Sequence, residues 1–97
     1  MQGVILSMDL KEIQIKIKQL EKKKSWINSP DAKVTFLLEE LGEVASWVRR
    51  ARKKALTRKE KKALNFEFAD VLQHLISLAN SFGINLEEGL RKKKKLV

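Results

Sequence analysis

Residues 34–48 read VTFLLEELGEVASWV, and their apolar side chains recur at intervals of three and four positions. That spacing puts them on one side of an α-helix. The stripe consists of Val34, Leu37, Leu38, Leu41, Val44, Ala45 and Val48. Just upstream, Ser29 can cap a helix whose first residue is Pro30. The sequence therefore predicts a helix from about Pro30 to Ala55.

Another helix, the first along the chain, is predicted on the N-terminal side of this one. Asp9 and Glu12 form a capping-box pattern, which opens a helix ending near Lys24. The isoleucines here alternate with polar residues as in a strand, at Ile13, Ile15 and Ile17. A helical stripe competes with that pattern, at Leu10, Ile13, Ile17 and Leu20. The Lys, Glu and Gln content of this segment favours a helix over a strand.

Two more helices are predicted on the C-terminal side. Thr57 and Glu60 form another capping box, opening a helix that runs to about Ser81. Gly83 stands where a left-handed cap belongs, and Asn85 begins a short last helix. The fold class is therefore all-α, a small bundle of about four helices. The third helix is apolar around much of its circumference, so we expect a homo-oligomer to cover it.

The composition favours one small intracellular domain. The chain has 97 residues and no cysteine, which excludes disulfides and thiolate metal sites. Its single histidine argues against a hydrolase triad. No apolar run reaches the ~20 residues of a membrane helix, and the opening MQGVILSMDL lacks the basic region of a signal peptide. We expect one cytoplasmic domain over 1–97, with a basic tail at 91–97 and no membrane partner.

The positive charge is concentrated in two segments. The formal net charge is +9, and residues 49–62 hold nine of the 21 Lys and Arg against one acid. Residues 91–95 hold five more. Such segments attract nucleic acid, nucleotide phosphates or acidic membranes. The alternative is a lysine-rich surface of the kind found in proteins from hot habitats.

Four acids stand apart from these bases. Glu40 and Glu43 on the second helix, and Glu67 and Asp70 on the third, are each three residues apart and so share one helix face. No Lys or Arg lies three or four residues from any of them. A hard divalent cation, Mg²⁺ or Mn²⁺, would compensate carboxylates gathered among apolar residues. Glu39 is a fifth acid, which could act as a ligand, an outer group or a base for water.

Two other interpretations of the acids remain open. The acids could cover a solvated face or bind lysines from elsewhere in the chain. Inward glutamates on facing helices also occur in di-iron proteins, which use Glu-x-x-His. Here His74 follows Asp70 by four residues, so that pattern is not met, and His74 is expected to be a buried polar residue.

The acid pattern resembles that of the MazG-type, all-α nucleoside triphosphate pyrophosphohydrolases. The similarity rests on EELGE (39–43), EFADVLQHL (67–75) and GINLEEGLRKK (83–93). The resemblance implies Mg²⁺-dependent hydrolysis of a (d)NTP to a (d)NMP and pyrophosphate, in nucleotide-pool housecleaning. It implies a homodimer or homotetramer whose active sites form across subunits. The residues it implies are the ligands Glu40, Glu43, Glu67 and Asp70, with Glu39 completing the catalytic set.

Six residues are candidates for binding the substrate. The resemblance implies Lys93 for the phosphates and Trp26 for the base. Trp47 lies four residues after Glu43 on the same face and could also stack on a base, with core packing as the alternative. Lys53 is a phosphate candidate, as are Arg50 and Lys54, with a solvated basic loop as the alternative.

A second class of function remains open. The basic segments are compatible with a small helical nucleic-acid-binding protein that keeps a vestigial acidic site. No helix concentrates Arg and Asn on one face for reading a groove, so nucleic acid is possible but not favoured. A purely structural oligomer would leave the acid pairs without an explanation.

Overall fold

The computed structural model describes residues 9–23 and 28–93, which contain four α-helices and no strand. The helices are α1 (Leu10–Lys23), α2 (Pro30–Lys53), α3 (Arg58–Ser81) and α4 (Leu86–Lys92). The predicted all-α class is confirmed. The isoleucine alternation in residues 13–17 lies within α1, so the helical stripe outweighs the strand-like pattern.

Side-chain caps fix where the helices begin. The backbone N–H of Glu12 donates to Asp9 Oδ1 at 2.8 Å, at the start of α1. Ser29 Oγ accepts from Ala32 N at 3.2 Å at the start of α2, where Pro30 is the first helical residue. These bonds satisfy N–H groups that have no partner inside the helix. The beginnings predicted for both helices are therefore confirmed.

The capping box at the start of α3 is complete. The Thr57 N–H donates to Glu60 Oε1 at 2.9 Å, and the Glu60 N–H donates to Thr57 Oγ1 at 3.1 Å. This arrangement explains one error in the sequence analysis, since α2 ends at Lys53 and not at Ala55. Lys54 already has an extended backbone, with φ −159° and ψ 155°. The chain leaves the helix early because Thr57 must enter α3 as a cap.

The contacts divide the chain into two compact units. The first consists of residues 1–28 and 76–97, and the second of residues 29–75. Helix α3 therefore begins in the second unit and ends in the first. Among the described residues, Ile76 in the first unit is the one large side chain that is fully buried.

A buried glutamine organises the first unit. Gln14 of α1 donates from Nε2 to Asn80 Oδ1 and to the Ile84 carbonyl, both at 2.9 Å. Its Oε1 accepts from the Leu86 N–H at 2.9 Å. Gly83 lies between these partners with φ 64°, the left-handed conformation predicted for it. One polar side chain thus joins α1, the end of α3 and the start of α4.

The second unit leaves much of its apolar surface exposed. Leu38 of α2 is 62% exposed, and Phe66 of α3 is 61% exposed. Phe68, Leu72 and Val48 are also close to half exposed. The chain alone therefore does not bury the apolar stripes that the sequence predicted to be covered.

Candidate metal centre

Three of the four predicted metal ligands converge in the second unit. Glu40 lies in α2, and Glu67 and Asp70 lie one turn apart in α3. Each offers a carboxylate oxygen, and these oxygens all lie within 4.8 Å of one another. Glu40 and Glu67 are half-buried, whereas Asp70 is exposed. The two Glu-x-x-acid motifs are thus brought together across a pair of helices.

The other two predicted acids lie outside this converging group. Glu43 follows Glu40 by one helical turn and is exposed. Its charge nevertheless acts on Glu67, because it is one of the charges that raise the pKa of Glu67. Glu39 is exposed and neighbours Glu40 in sequence, displaced by ~100° around the helix.

The electrostatics of the group favour a cation. Burial raises the pKa of Glu67, and so do a hydrogen bond with Glu40 and the negative charges of Glu40, Glu43 and Asp70. A hydrogen bond between two carboxyl groups needs a shared proton. No Lys or Arg is among the groups that shift this pKa. A hard divalent cation with oxygen ligands fits this donor set, since it would replace the proton and neutralise the remaining charge.

His74 follows Asp70 by one turn of α3 but is not one of the converging group. Its ring packs against Phe36, with ring centroids 6.0 Å apart and planes tilted by 39°. The side chain is half-buried. This packing gives His74 a structural role, and the all-carboxylate group in the described residues contains no histidine.

The structure shows a contact at Trp47 that the sequence analysis missed. The Arg50 guanidinium carbon lies 4.6 Å from the centroid of the Trp47 ring, in a cation–π contact. The spacing of three residues on one helix is a signal that could have revealed it. A base that stacks on this face of Trp47 must displace Arg50. Trp26, the other aromatic candidate, lies outside the described residues.

The two lysine candidates lie at helix ends. Lys53 is the last residue of α2 and is exposed. It follows Glu40 by 13 residues, which is ~20 Å along a helix axis. Lys93 directly follows α4 in the first unit, whereas the acids lie in the second. A phosphate-binding role for either lysine stays a prediction.

None of the helices in residues 9–23 and 28–93 has the length and apolar character needed to cross a membrane.

Comparison with known proteins supplies the family. No curated protein and no solved structure matches the chain. Residues 28–96 match the sequence model of the MazG nucleotide pyrophosphohydrolase domain, a family that depends on divalent metals. Because that match includes both acid motifs and well over half of the sequence, the chain belongs to the MazG nucleotide pyrophosphohydrolase family.

Proposed function

We propose that this protein is a Mg²⁺-dependent nucleoside triphosphate pyrophosphohydrolase, which converts a (d)NTP and water to a (d)NMP and pyrophosphate. Nucleotide-pool housecleaning in the cytoplasm is the role that we assign to it. The observation that carries the proposal is the convergence of Glu40, Glu67 and Asp70 within a MazG-family chain.

The acid group supplies the ligands for the metal. Glu40, Glu67 and Asp70 would hold Mg²⁺, with Mn²⁺ as a substitute, and Glu43 would join them from the next turn of α2. When bound, such an ion neutralises phosphate charge and makes a water more nucleophilic. The half-buried Glu40 and Glu67 restrict water around the ligand oxygens, which strengthens their electrostatic interaction with a cation.

The remaining candidate residues orient the substrate and accept a proton. Glu39 is exposed beside Glu40, so we assign its carboxylate to accept the proton of the attacking water. Trp47 is proposed to contact the base once Arg50 moves from its ring. Lys93 and Lys53 are proposed to neutralise the negative charge of the pyrophosphate leaving group. Trp26 is proposed to contact the base.

The exposed apolar surface of the second unit supports a homo-oligomer. Leu38 and Phe66 each expose more than half of their surface, on the two helices that carry the acid group. Exposed apolar patches of this kind mark interaction surfaces. We propose that a second copy covers them, in a homodimer or homotetramer. Residues of that copy would then lie near the acid group and could complete the site.

Product analysis in ¹⁸O-labelled water tests this function. A panel of NTPs and dNTPs is incubated with the protein and Mg²⁺, and the products are identified by mass. We expect pyrophosphate and an ¹⁸O-labelled monophosphate, because attack at the α-phosphorus puts the water oxygen on the nucleotide. Label in the pyrophosphate would mean attack at the β-phosphorus. Release of orthophosphate with a diphosphate would contradict the proposed reaction.

A further inference from the structure

The end of α2 and the start of α3 form a strongly basic surface, of which the proposed hydrolysis uses Lys53 alone. Residues 49–59 read RRARKKALTRK, which is seven cations and no acid in eleven residues. We call this segment the connection surface. Its cations are all exposed: Arg49, Arg50, Arg52, Lys53, Lys54, Arg58 and Lys59. It lies wholly within the second unit.

The chain provides little to neutralise this charge. The structure shows the ion pairs Arg91–Glu87 and Lys92–Glu88, both within α4, and neither includes a cation of the connection surface. The nearest acid in sequence, Glu60, bonds the Thr57 backbone, and this bond is the main reason that its pKa is lowered. The carboxylate of Glu60 is thus engaged in capping α3. Arg50 lies over the Trp47 ring, and the charges of Lys54 and Arg50 help to lower the pKa of Glu60, which leaves the other five cations available to an external anion.

Helix stability explains only part of the connection surface. Cations in the last turn of α2 favour that helix, because its C-terminus carries partial negative charge. Arg58 and Lys59 lie in the first turn of α3, where the helix dipole is positive and cations are unfavourable. The charge at the start of α3 therefore opposes the stability of its own helix.

The connection surface extends away from the acid group along both helices. Arg49 follows Glu40 by nine residues, and Arg58 precedes Glu67 by nine. Nine residues of helix span ~14 Å. Lys59 is one residue nearer to Glu67 than Arg58 is, and the other cations in the segment lie farther from the acids along α2. A single triphosphate held at the acids leaves most of these charges unused. The segment suits a longer polyanion.

We propose that the connection surface binds the phosphodiester backbone of nucleic acid. Four of its seven cations are arginines, whose planar guanidinium groups pair with phosphate through two hydrogen bonds. At about 100° per residue, the cations at 49, 50, 52 and 53 share one side of α2, so several can meet one backbone. The segment contains no Asn or Gln to pair with adenine edges. The proposed contacts are to the phosphates, which carry no sequence information. Its one large apolar residue, Leu56, is half-buried, which leaves little to insert into a membrane.

Two variants with equal charge locate the binding. One is Arg49→Gln/Arg52→Gln/Arg58→Gln/Lys59→Gln in the connection surface. The control is Lys11→Gln/Lys16→Gln/Lys18→Gln/Lys22→Gln, which replaces exposed lysines of α1. Each removes four positive charges and so lowers the formal net charge from +9 to +5. Gln and the residues that it replaces have similar helix propensities, so both variants should keep their helices.

Fluorescence anisotropy of a labelled DNA duplex, in EDTA and without nucleotide, measures the affinity at several salt concentrations. We expect the wild-type affinity to fall with salt, with a slope of about −0.9 for each phosphate contacted. The connection variant should bind at least about tenfold more weakly and lose about three units of that slope. The α1 variant should lose less than about threefold. Nucleotide hydrolysis plays no part in this readout.

Three results would overturn the proposal. Equal losses in both variants would show that net charge alone attracts the duplex. No binding by the wild type, or binding to phosphatidylserine vesicles but not to the duplex, would exclude a nucleic-acid surface. Should the connection variant fail to fold, amide shifts of the wild type on adding duplex decide instead. Shifts centred on residues 49–59 support the proposal, and shifts elsewhere contradict it.

Discussion

At the scale of single residues, the proposed metal site depends on the positions of a few carboxylates relative to each other. Sequence spacing singled out Glu40, Glu43, Glu67 and Asp70 alike, because no base stood beside them on their helices. It could not rank Glu43 against the other three, since the distance between α2 and α3 depends on packing. In the structure, Glu43 stands apart from the other three acids, and its charge helps to raise the pKa of Glu67. Glu67 is the residue whose pKa is raised by burial, by its hydrogen bond with Glu40 and by the neighbouring acids.

The raised pKa of Glu67 predicts how the metal-free protein responds to pH. The folded state keeps this proton to a higher pH than the unfolded state, because burial and three neighbouring acids raise the pKa. Its stability should therefore fall as pH rises from the ordinary glutamate range through the raised value. Glu67→Gln is neutral at every pH, so its free energy of unfolding should exceed that of the wild type at neutral pH.

Urea denaturation in EDTA, from about pH 4 to pH 8, checks this prediction. The advantage of Glu67→Gln should shrink as the pH falls, because Glu67 itself becomes neutral. Glu12→Gln, an exposed acid outside the group, serves as the control and should show no such trend. An advantage of constant size across the whole range would contradict the assignment.

At the scale of elements, caps and one glycine decide where the helices begin and end. The sequence located the starts of α1, α2 and α3 because Asp9, Ser29 and Thr57 are local signals. It placed the end of α2 two residues too far, because no glycine or proline marks it. No local sequence pattern predicts the contacts of Gln14 with residues 80–86, which are far away in sequence. Such long-range pairing depends on tertiary packing.

The capping box of α3 predicts a specific loss of stability. Thr57→Ala removes the hydroxyl that accepts from the Glu60 N–H, and should cost about 1 kcal/mol. The control is Thr35→Ala within α2, where the hydroxyl merely donates back to the Asp31 carbonyl. That change should lie within about 0.5 kcal/mol of the wild type. Urea midpoints that shift equally in the two variants would argue against the cap.

Two glycines in the same unit should respond oppositely to alanine. Gly83 has φ 64°, so Gly83→Ala should destabilise the protein by about 1–2 kcal/mol, although there is room for the methyl group. Gly89 lies within α4, also with room, and Gly89→Ala should stabilise the helix by about 0.5–1 kcal/mol. Thermal unfolding of both variants measures the contrast. Equal shifts in Tm would mean that the backbone of Gly83 is not under this constraint.

At the scale of the whole molecule, the sequence predicted an all-α chain and an excess of apolar surface. The class followed from helical periodicity and four sets of cap residues. The excess was read from the third helix, and Phe66 and Phe68 are indeed exposed in the single chain. What covers them could not be derived, because a partner surface leaves no periodic signal of its own. One domain over 1–97 also stays a prediction.

The proposed oligomer predicts the molar mass in solution. Light scattering at micromolar concentration should give a multiple of 11.2 kDa. Leu38→Glu combined with Phe66→Glu puts charge on the apolar surface and should shift the population towards monomer. Thr35→Glu, an exposed polar position on α2, should leave the mass unchanged. A monomeric wild type would contradict the proposal, as would an oligomer that tolerates both glutamates.

Calorimetric titration with Mg²⁺ shows whether Glu40, Glu67 and Asp70 form a metal site. The wild type should bind Mg²⁺, and Glu12→Gln should bind it equally well. Changing even a residue that only supports a ligand typically costs 10–100-fold in affinity. We therefore expect Glu67→Gln and Asp70→Asn to weaken binding by at least about a hundredfold, with an unchanged helical circular dichroism spectrum. Equal Mg²⁺ affinity in all four proteins, or none in the wild type, would contradict the account.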